Sequence, residues 1–251
     1  NDKEENVRYI LKNGDKVTIT LPSEKFSEHV RFIEGNLDII YEDEYFLVVN
    51  KSANLPSIPS RNEEDASLLE IVNTYFHDNN YVTIPHIVTR LDKNTTGLVL
   101  IAKHRHIHAL FDKIDINKFY LALAKGKVAD QVIEASIKRE VDSIITRCVA
   151  EDGDYAKTQI WLEKYDEKND VSLVKLKLFT GRTHQIRVHM SHLDHPLLGD
   201  ELYGGNKDLI ERQALHCYNL QFKHPITQNE ISLEVPLAED IRIITDSIGI
   251  Y

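Results

Sequence analysis

The sequence is poor in cysteine, with only Cys148 and Cys217 in 251 residues. Their separation fits neither the paired spacing of zinc ligands nor a Cys-x-x-Cys redox motif. This usage excludes a small secreted domain held together by disulfides. Two isolated thiols are instead typical of a reducing environment, and we expect a cytoplasmic protein.

Long hydrophobic runs are also missing. No apolar run approaches the ~20 residues needed to cross a bilayer, and no signal peptide opens the chain. We therefore expect no membrane partner. Because the first residue is Asn1 rather than Met, we expect a fragment or a processed form. The length suits one large domain or two small ones.

Positive charge is in deficit, since the formal net charge is −10. This balance argues against a broad nucleic-acid-binding surface. Two windows differ from the rest: residues 86–110 and 175–195 each hold four basic residues against one acidic residue, and four histidines. An acidic body with two basic windows predicts that an anion binds in a focused cleft.

Residues 1–35 form a separate segment. Asn13-Gly14-Asp15 predicts a turn, and the alternation of apolar residues over 17–21 predicts a half-buried strand. Pro22 ends that strand, and a mixed-charge linker follows. We therefore predict a main domain over residues 36–251, preceded by a remnant of another domain.

The main domain alternates many short strands with a few helices. We predict strands at 38–41, 45–49, 98–102, 119–124, 158–162, 171–179, 215–222 and 230–235. We predict helices at 67–75 (capped by Asp65 or Ser67), 104–114 and 182–193 (capped by Thr180). Since many adjacent strands lack helical crossovers, the fold class is mixed α/β (α+β), with a central, largely antiparallel sheet and peripheral helices.

One stretch, residues 84–103, has the sequence IPHIVTRLDKNTTGLVLIAK. Its apolar run 98–102, bounded by Gly97 and Lys103, predicts a strand buried on both faces. Asp92 then lies on a tight loop fixed to the rigid core, which suits a working side chain. The alternative is structural, because Asp often bonds the backbone two residues on in an Asx-turn.

Two further residues invite a functional interpretation. Arg182 falls in the first turn of its predicted helix, where the free N–H groups and the helix dipole favour anions; the alternative is an ordinary surface ion pair. Gln185 and His189 share its face.

Tyr120 alternates with Lys118 on a strand, so both face one way. A tyrosine there serves in stacking or proton transfer, or simply in the core.

The histidine clusters do not predict a metal site. Zinc needs three or four converging ligands, and the sequence has no His-Glu-x-x-His pair. His104, His106 and His108 would diverge on a helix. We expect no bound metal.

Five segments together resemble the RluA family of pseudouridine synthases. They are VVNKSANLPS (48–57), TRLDKNTTGLVLIAK (89–103), KFYLALAKG (118–126), TGRTHQIRVHMSHLDHPLLGDELYG (180–204) and LHCYNLQFKHP (215–225). The resemblance covers about residues 37–237. Residues 14–19, GDKVTI, also resemble the last strand of an S4-type RNA-binding domain.

The resemblance implies a pseudouridine-synthase fold with an active-site cleft, and isomerisation of uridine in ribosomal or transfer RNA without a cofactor. It implies that Asp92 is the catalytic aspartate, Tyr120 the active-site tyrosine and Arg182 the arginine that pairs with the aspartate. The predicted substrate-binding residues are Arg90, which would help displace the target base, and Lys93, Lys118, His184, Gln185 and Arg187. Nothing demands more than a monomer.

The sequence departs from the family pattern at Thr89 and Thr96, where histidine and serine are usual, and at Ser52 and Asn54 in the loop that usually reads Asn-Lys-Pro-x-Gly. Asn54 tolerates the left-handed backbone that a glycine would supply. Two alternatives stay open: a non-catalytic RNA-binding or ribosome-assembly factor on the same fold, and a metal-dependent hydrolase that uses the histidines.

Overall fold

A ten-stranded sheet carries the main domain. The computed structural model describes residues 3–6, 8–26, 30–59 and 65–250. The strands are β1 Ile39–Glu42, β2 Phe46–Lys51, β3 His86–Ile87, β4 Thr96–Ala102, β5 Asn117–Lys125, β6 Gln131–Glu134, β7 Ile137–Arg139, β8 Arg147–Val149, β9 Lys157–Asp166, β10 Val171–Leu178, β11 Leu215–Lys223 and β12 Glu230–Glu234. The helices are α1 Leu68–Asp78, α2 Arg105–Phe111, α3 Gln185–His192 and α4 Glu239–Ser247, with a 3₁₀ turn at Glu201–Tyr203.

The sheet is almost entirely antiparallel. Its strand order is β1-β2-β4-β11-β5-β10-β9-β6, with β3 paired to β4 and β12 paired to β11. The pair β4–β11 is parallel, and β7 and β8 form a separate two-stranded ribbon. The predicted fold class, a largely antiparallel sheet with peripheral helices, is confirmed.

Strand β4 lies at the centre, as its unbroken apolar run predicts. All seven of its residues are buried. It pairs with β2 along one edge and with β3 and β11 along the other, so the backbone groups of the buried run find partners within the sheet. The loop that enters β4 is therefore attached to the most rigid part of the molecule.

The two faces of the sheet are covered differently. On one face Ile186 and Met190 of α3 join the main core. On the other face Ile241 and Ile244 of α4 pack with Leu123 of β5 in a second core. Strand β4 is buried on both faces, so the part of this second face that is partly exposed to solvent lies farther along the sheet, over β5, β9 and β10.

The helices begin where their caps allow. Ser67 caps α1: its hydroxyl accepts a hydrogen bond from the backbone N–H of Glu70, whose carboxylate accepts one from the N–H of Ser67, the reciprocal capping box. Helix α3 begins at Gln185, three residues later than predicted, after His184 in left-handed conformation (φ 57°). Thr180 is not its cap and instead donates to Oε1 of Gln185.

The N-terminal segment differs from its prediction. A turn is present at Asn13-Gly14, but residues 17–21 form no strand, and Ile19 is 79% exposed. The alternating pattern is short and meets no neighbouring strand in the described part of the chain, so its apolar side chains stay in solvent. Elements β3, β6, β7, β8 and α4 were not predicted. Among the described residues, no helix has the length and apolar character to cross a bilayer.

Candidate active site

A cavity of about 440 Å³ opens between the loop that enters β4, the start of β5 and the start of α3. Every residue that the sequence predicted for the site lines it: Arg90, Asp92, Lys93, Lys118, Tyr120, Arg182, His184, Gln185 and Arg187. Asp92 and Arg187, which are 95 residues apart in the sequence, therefore meet at one place.

Asp92 presents a carboxylate to this cavity. Its backbone carbonyl accepts the N–H of Thr95 at 3.0 Å, so the residue opens a tight turn through its backbone and not through the side-chain bond of an Asx-turn. Its side chain is nevertheless 28% exposed and accepts a hydrogen bond from Nη1 of Arg187 at 3.2 Å. Nε2 of His184 lies 3.9 Å from the same oxygen. The turn therefore aims the carboxylate at the cavity and leaves it usable.

Arg187 is held rigidly from behind. Its Nε and Nη2 each donate at 2.7 Å to the carboxylate of Asp200, whose side chain is 1% exposed. The ring of Tyr203 lies 4.9 Å from the guanidinium carbon. Burial lowers the pKa of Arg187, but the bonds to Asp200 and the charge of Asp92 outweigh burial and raise it. Asp92 thus faces a permanent positive charge.

The pairing predicted for Arg182 is wrong. Its Nε donates to the carbonyl oxygen of Tyr155 at 3.0 Å, and its Nη1 lies 3.9 Å from Asp154. The late start of α3 is the reason: Arg182 lies in the loop before the helix and points outward, whereas Arg187, inside the helix, faces Asp92. Arg182 remains at the cavity rim, 42% exposed.

Tyr120 and Lys118 line the wall on β5. Tyr120 is 4% exposed. Burial, followed by the neighbouring Cys217 thiol, raises the pKa of its phenol well above the ordinary value, so it is a neutral hydrogen-bond donor. Burial also lowers the pKa of Lys118. The wall therefore offers a flat ring and a weakly solvated amine.

Gln185 is less available than predicted. Its Nε2 donates to the carbonyl of Lys157 and to the hydroxyl of Thr158, and its Oε1 accepts from Thr180 and from the N–H of Arg182. With both ends of its amide engaged, Gln185 fixes the loop before α3 and has no free group for substrate.

His184 bridges the two sides of the site. Its Nδ1 lies 2.8 Å from the hydroxyl of Tyr203, while Nε2 points toward Asp92. Burial lowers the pKa of His184, and the charge of Asp92 opposes that effect. Its left-handed backbone, uncommon for a residue other than glycine, places the ring between these partners.

The loop that carries Asp92 is fastened at several points that the sequence did not identify. The Ser57 hydroxyl donates to the carbonyl of Leu91 and accepts from its N–H. Nη1 of Arg212 donates to the carbonyl of Asn94 at 2.9 Å. The sequence signal for Ser57 was its position in the segment 48–57, whereas Arg212 had no signal.

Lys51 is the most unusual of these fastenings. The side chain is among the largest fully buried ones, and its Nζ donates to the carbonyl oxygens of Ser52, Leu55 and Lys93 at 2.8, 2.8 and 3.0 Å. Burial lowers its pKa to about 7, against the opposing charge of Asp92. One amine thus ties the loop 52–55 to the loop that carries Asp92.

The outer rim carries cations. Arg90 is exposed, and among the described residues it has no carboxylate within 4.0 Å. Lys93 is also exposed and pairs with Asp65 at 2.7 Å. The rim therefore offers positive charge to an anionic polymer above a cavity that is itself small.

The histidine clusters do not converge. In the described part of the chain, no three His, Cys, Asp or Glu side chains gather as metal ligands would. His104 instead bonds the carbonyl of Pro22, and His189 bonds Thr158 and the carbonyl of Ala135. These histidines have structural partners.

The comparison with known proteins agrees with the geometry. The model of the family described as RNA pseudouridylate synthase matches residues 45–192, which is more than half of the chain. The chain belongs to this family. The RluA-type resemblance is therefore confirmed, and the protein is an RNA pseudouridine synthase.

Individual relatives of the synthase cover most of its length. An uncharacterized RNA pseudouridine synthase of Bacillus subtilis, YjbO, is 42% identical over 241 residues, which cover 94% of this chain and 84% of the relative. Ribosomal large subunit pseudouridine synthase D of Vibrio parahaemolyticus is 36% identical over 232 residues, covering 84% and 70%. The structure of human RNA pseudouridylate synthase domain containing 1 superposes with a TM-score of 0.65 at 25% identity, covering 86% and 96%.

The departures of this synthase from its family pattern have structural roles. The hydroxyl of Thr89 accepts a hydrogen bond from the N–H of Leu100 in β4. This bond ties the loop that carries Asp92 to the central strand. Asn54 has φ 58°, so the expectation that it replaces a glycine in left-handed conformation is confirmed. Neither change touches the carboxylate of Asp92.

Proposed function

We propose that this synthase isomerises uridine in ribosomal or transfer RNA, with Asp92 as the catalytic carboxylate. The observation that supports the assignment is the position of Asp92. Its side chain is 28% exposed in the cavity and is held by Arg187, which is itself fixed by Asp200. A carboxylate placed and charged in this way serves chemistry at the ribose better than it serves the fold.

The reaction requires little beyond such a group. The N1–C1′ bond breaks, the uracil rotates, and a bond forms between C5 and C1′; the C5 proton leaves and N1 gains one. No electrons and no atoms other than protons enter or leave. The carboxylate of Asp92 acts at the ribose, either on C1′ or on the C2′ proton.

Arg187 takes the role that the sequence assigned to Arg182. Its fixed guanidinium orients the carboxylate of Asp92 through a hydrogen bond and charge pairing at 3.2 Å. Because Asp200 already fixes Arg187, no reorganisation is required when the substrate arrives, which is the condition for electrostatic preorganisation.

Tyr120 contacts the uracil, and the cations of the rim contact the phosphates of the RNA backbone. The Tyr120 ring supplies a stacking surface for the uracil, and its hydroxyl relays the C5 proton, accepting it while passing its own proton to water. The target nucleotide must leave its stack, which costs a few kcal/mol. Arg90, Lys93 and Arg182 offset that cost through contacts with phosphates.

The substrate class and the setting are also inferences. The name of the relative from Vibrio specifies the ribosomal large subunit, which supports ribosomal RNA as a substrate for this chain. We infer a cytoplasmic monomer. We also infer that residues 1–35 comprise the end of an S4-like RNA-binding domain and the linker that joins it to the catalytic domain 36–251.

Tritium release from RNA labelled at C5 of uridine tests the reaction and the aspartate together. We expect release by the wild-type protein from ribosomal or transfer RNA, and none by Asp92→Asn. The substitution keeps the shape of the side chain, and Asp200 still holds Arg187, so the circular dichroism spectrum and RNA binding should not change. Release by Asp92→Asn at the wild-type rate would exclude the proposed mechanism.

A binding-only role makes the opposite prediction. A ribosome-assembly factor on this fold would bind RNA and release no tritium from either RNA pool, with or without Asp92. The charged pair Asp92–Arg187 at the cavity floor favours the enzyme, because binding alone does not require a carboxylate that faces an anionic substrate.

A further inference from the structure

The open part of the sheet carries a row in which aromatic rings and lysines alternate. Nζ of Lys177 lies 5.1 Å from the ring centre of Phe179 and 5.5 Å from that of Phe119. Nζ of Lys175 lies 5.5 Å from Phe119 and 5.8 Å from Trp161. All four distances are within the ~6 Å range of cation–π attraction. We call these five residues the ring–lysine row.

Strand register places the row on one face. Lys177 is opposite Phe119 in the β10–β5 pair, and Lys175 is opposite Trp161 in the β10–β9 pair. Opposite residues in antiparallel strands project to the same side. Phe179 is 52% exposed, and the other four residues are partly exposed. Helix α4 covers only the opposite end of this face.

Among the residues that the structure describes, the two lysines of the row are not held in ion pairs. In the described part of the chain, neither Lys175 nor Lys177 has a carboxylate within 4.0 Å, and the nearby Lys157 pairs with Glu134. On a protein of net charge −10, two free ammonium groups held between rings form a local site for an anion that also has flat apolar surfaces.

The row leads to the rim of the active site. Leu178 and Gly181, which flank Phe179, line the catalytic cavity. Lys118 and Tyr120, which flank Phe119, line it from the other side of the sheet. A polymer that places one unit in the cavity can therefore continue around this edge of the sheet, past Arg182, onto the row.

We propose that the ring–lysine row binds a single-stranded segment of the substrate RNA next to the target uridine. Bases stack on Phe179, Phe119 and Trp161, since base–aromatic stacking tolerates any sequence. The two lysines move from the rings to the phosphates. This proposal rests on the RNA substrate of the proposed function. An acidic peptide would use the charges but would leave the three rings without a purpose.

Trp161 makes the proposal directly measurable, because it is the single tryptophan of the chain. A dodecamer of uridylate, U12, titrated into the full-length protein should quench its fluorescence in step with the anisotropy of a labelled U12. Lys175→Ala/Lys177→Ala should weaken U12 binding about tenfold and lower the salt slope by about 1.4, the value for two phosphate contacts on a single strand.

A matched control lies at the far end of the same sheet. Lys127 stands over the ring of Tyr165 at 5.7 Å, and Lys168 is exposed in the β9–β10 turn. Lys127→Ala/Lys168→Ala removes the same charge and should bind U12 within twofold of the wild type. Equal weakening of both double variants would mean that only net charge matters, and would overturn the proposal.

The titration of the wild-type protein with U12 tests the proposal even if a variant fails to fold. Binding of U12 without any change in Trp161 fluorescence would overturn the row and would leave the proposed function intact. Quenching by U12 together with no tritium release from RNA would support the row as an RNA-binding surface while the proposed reaction fails. A row that serves an acidic protein partner instead would leave U12 affinity unchanged in Lys175→Ala/Lys177→Ala.

Discussion

At the scale of single residues, two arginines five positions apart have different tasks. Arg187→Ala should remove activity at least a hundredfold, because Asp92 loses its charged partner. It should also destabilise the fold by about 3 kcal/mol, since Asp200 would be left as a buried, unpaired charge. Arg182→Ala should keep the turnover number within a few-fold and raise KM for RNA. Steady-state kinetics and urea unfolding of both variants measure these effects.

Arg187→Ala/Asp200→Asn is the control for the charge argument. Removing the buried carboxylate together with its partner should restore much of the lost stability but none of the activity. If Arg182→Ala abolished turnover while Arg187→Ala retained it, the assignment from the sequence would stand and the structural one would be wrong.

Lys51 gives a prediction for pH. Its folded pKa of about 7 lies below the ordinary value of about 10.4. Between these values the unfolded chain binds more protons than the folded one, so the contribution of Lys51 to stability rises with pH in this window. The stability of the wild type relative to Lys51→Met should therefore increase by about 2 kcal/mol from pH 7 to pH 9.

Urea unfolding at the two pH values measures this difference, and Lys51→Met is the internal control because every other titrating group is retained. A constant difference would show that Lys51 keeps its ordinary pKa. Its three carbonyl acceptors would then outweigh burial and hold the ammonium charged throughout.

Residue types near a motif were predictable, but their partners were not. All nine predicted site residues line one cavity, because short motifs on a fixed loop and strand stay together when the sheet forms. The partner of Asp92 was misassigned because it depends on where α3 begins. That start is set by Gln185, His184 and Thr180 acting together, and no local pattern reveals it.

At the scale of elements, Gly97 lies at the start of β4, next to the loop that carries Asp92, and pairs with Cys217 of β11. Its φ is +113°, and an added Cβ would lie 2.2 Å from the carbonyl oxygen of Cys217. Gly97→Ala should push apart the single parallel strand pair and destabilise the fold by about 3 kcal/mol or more, through overpacking and a strained backbone together. Thermal or urea unfolding measures the loss.

Gly249 separates the two causes. It also has positive φ, +69°, but nothing lies within 4 Å of an added Cβ. Gly249→Ala should therefore cost only the backbone strain, about 1–2 kcal/mol. Equal losses for both substitutions would mean that β4 and β11 adjust to the extra methyl group at no cost.

Elements with a clear period were predictable. The run 98–102 predicted β4, and Ser67, one of the two caps predicted, precedes the first residue of α1. Strands β7 and β8 have three residues each, too few to show a period of two, and β6 has four. The strand expected at 17–21 shows the opposite case: its alternation is present, but none of the described residues forms a partner strand beside it.

At the scale of the whole molecule, the antiparallel sheet could be predicted from the connectivity of the strands. The partly exposed face that carries the ring–lysine row could not. Sparse helices between strands exclude a parallel sheet covered on both sides, so the fold class could be inferred from the sequence. The ring–lysine row was not foreseen. Its members come from three strands, and only register brings them together.

The division between the N-terminal segment and the catalytic domain is testable by truncation. Glu24, which is 7% exposed, bonds Nε of Arg105 at 2.6 Å and lies 3.0 Å from Nε2 of His86. In contrast, Ile10 and Ile19 are 83% and 79% exposed. Removal of residues 1–20 should change stability by no more than about 0.5 kcal/mol, as is usual for exposed positions.

Removal of residues 1–35 should cost about 2–4 kcal/mol, because Arg105 and His86 lose a buried charged partner. Glu24→Gln in the full chain should reproduce part of this loss, since the amide keeps one acceptor but no charge. If the chain without residues 1–35 unfolded at the same urea concentration as the full chain, the catalytic domain would be independent of the segment. The boundary near residue 36 would then separate two autonomous units, whereas the expected loss makes residues 22–35 an integral edge of the catalytic domain.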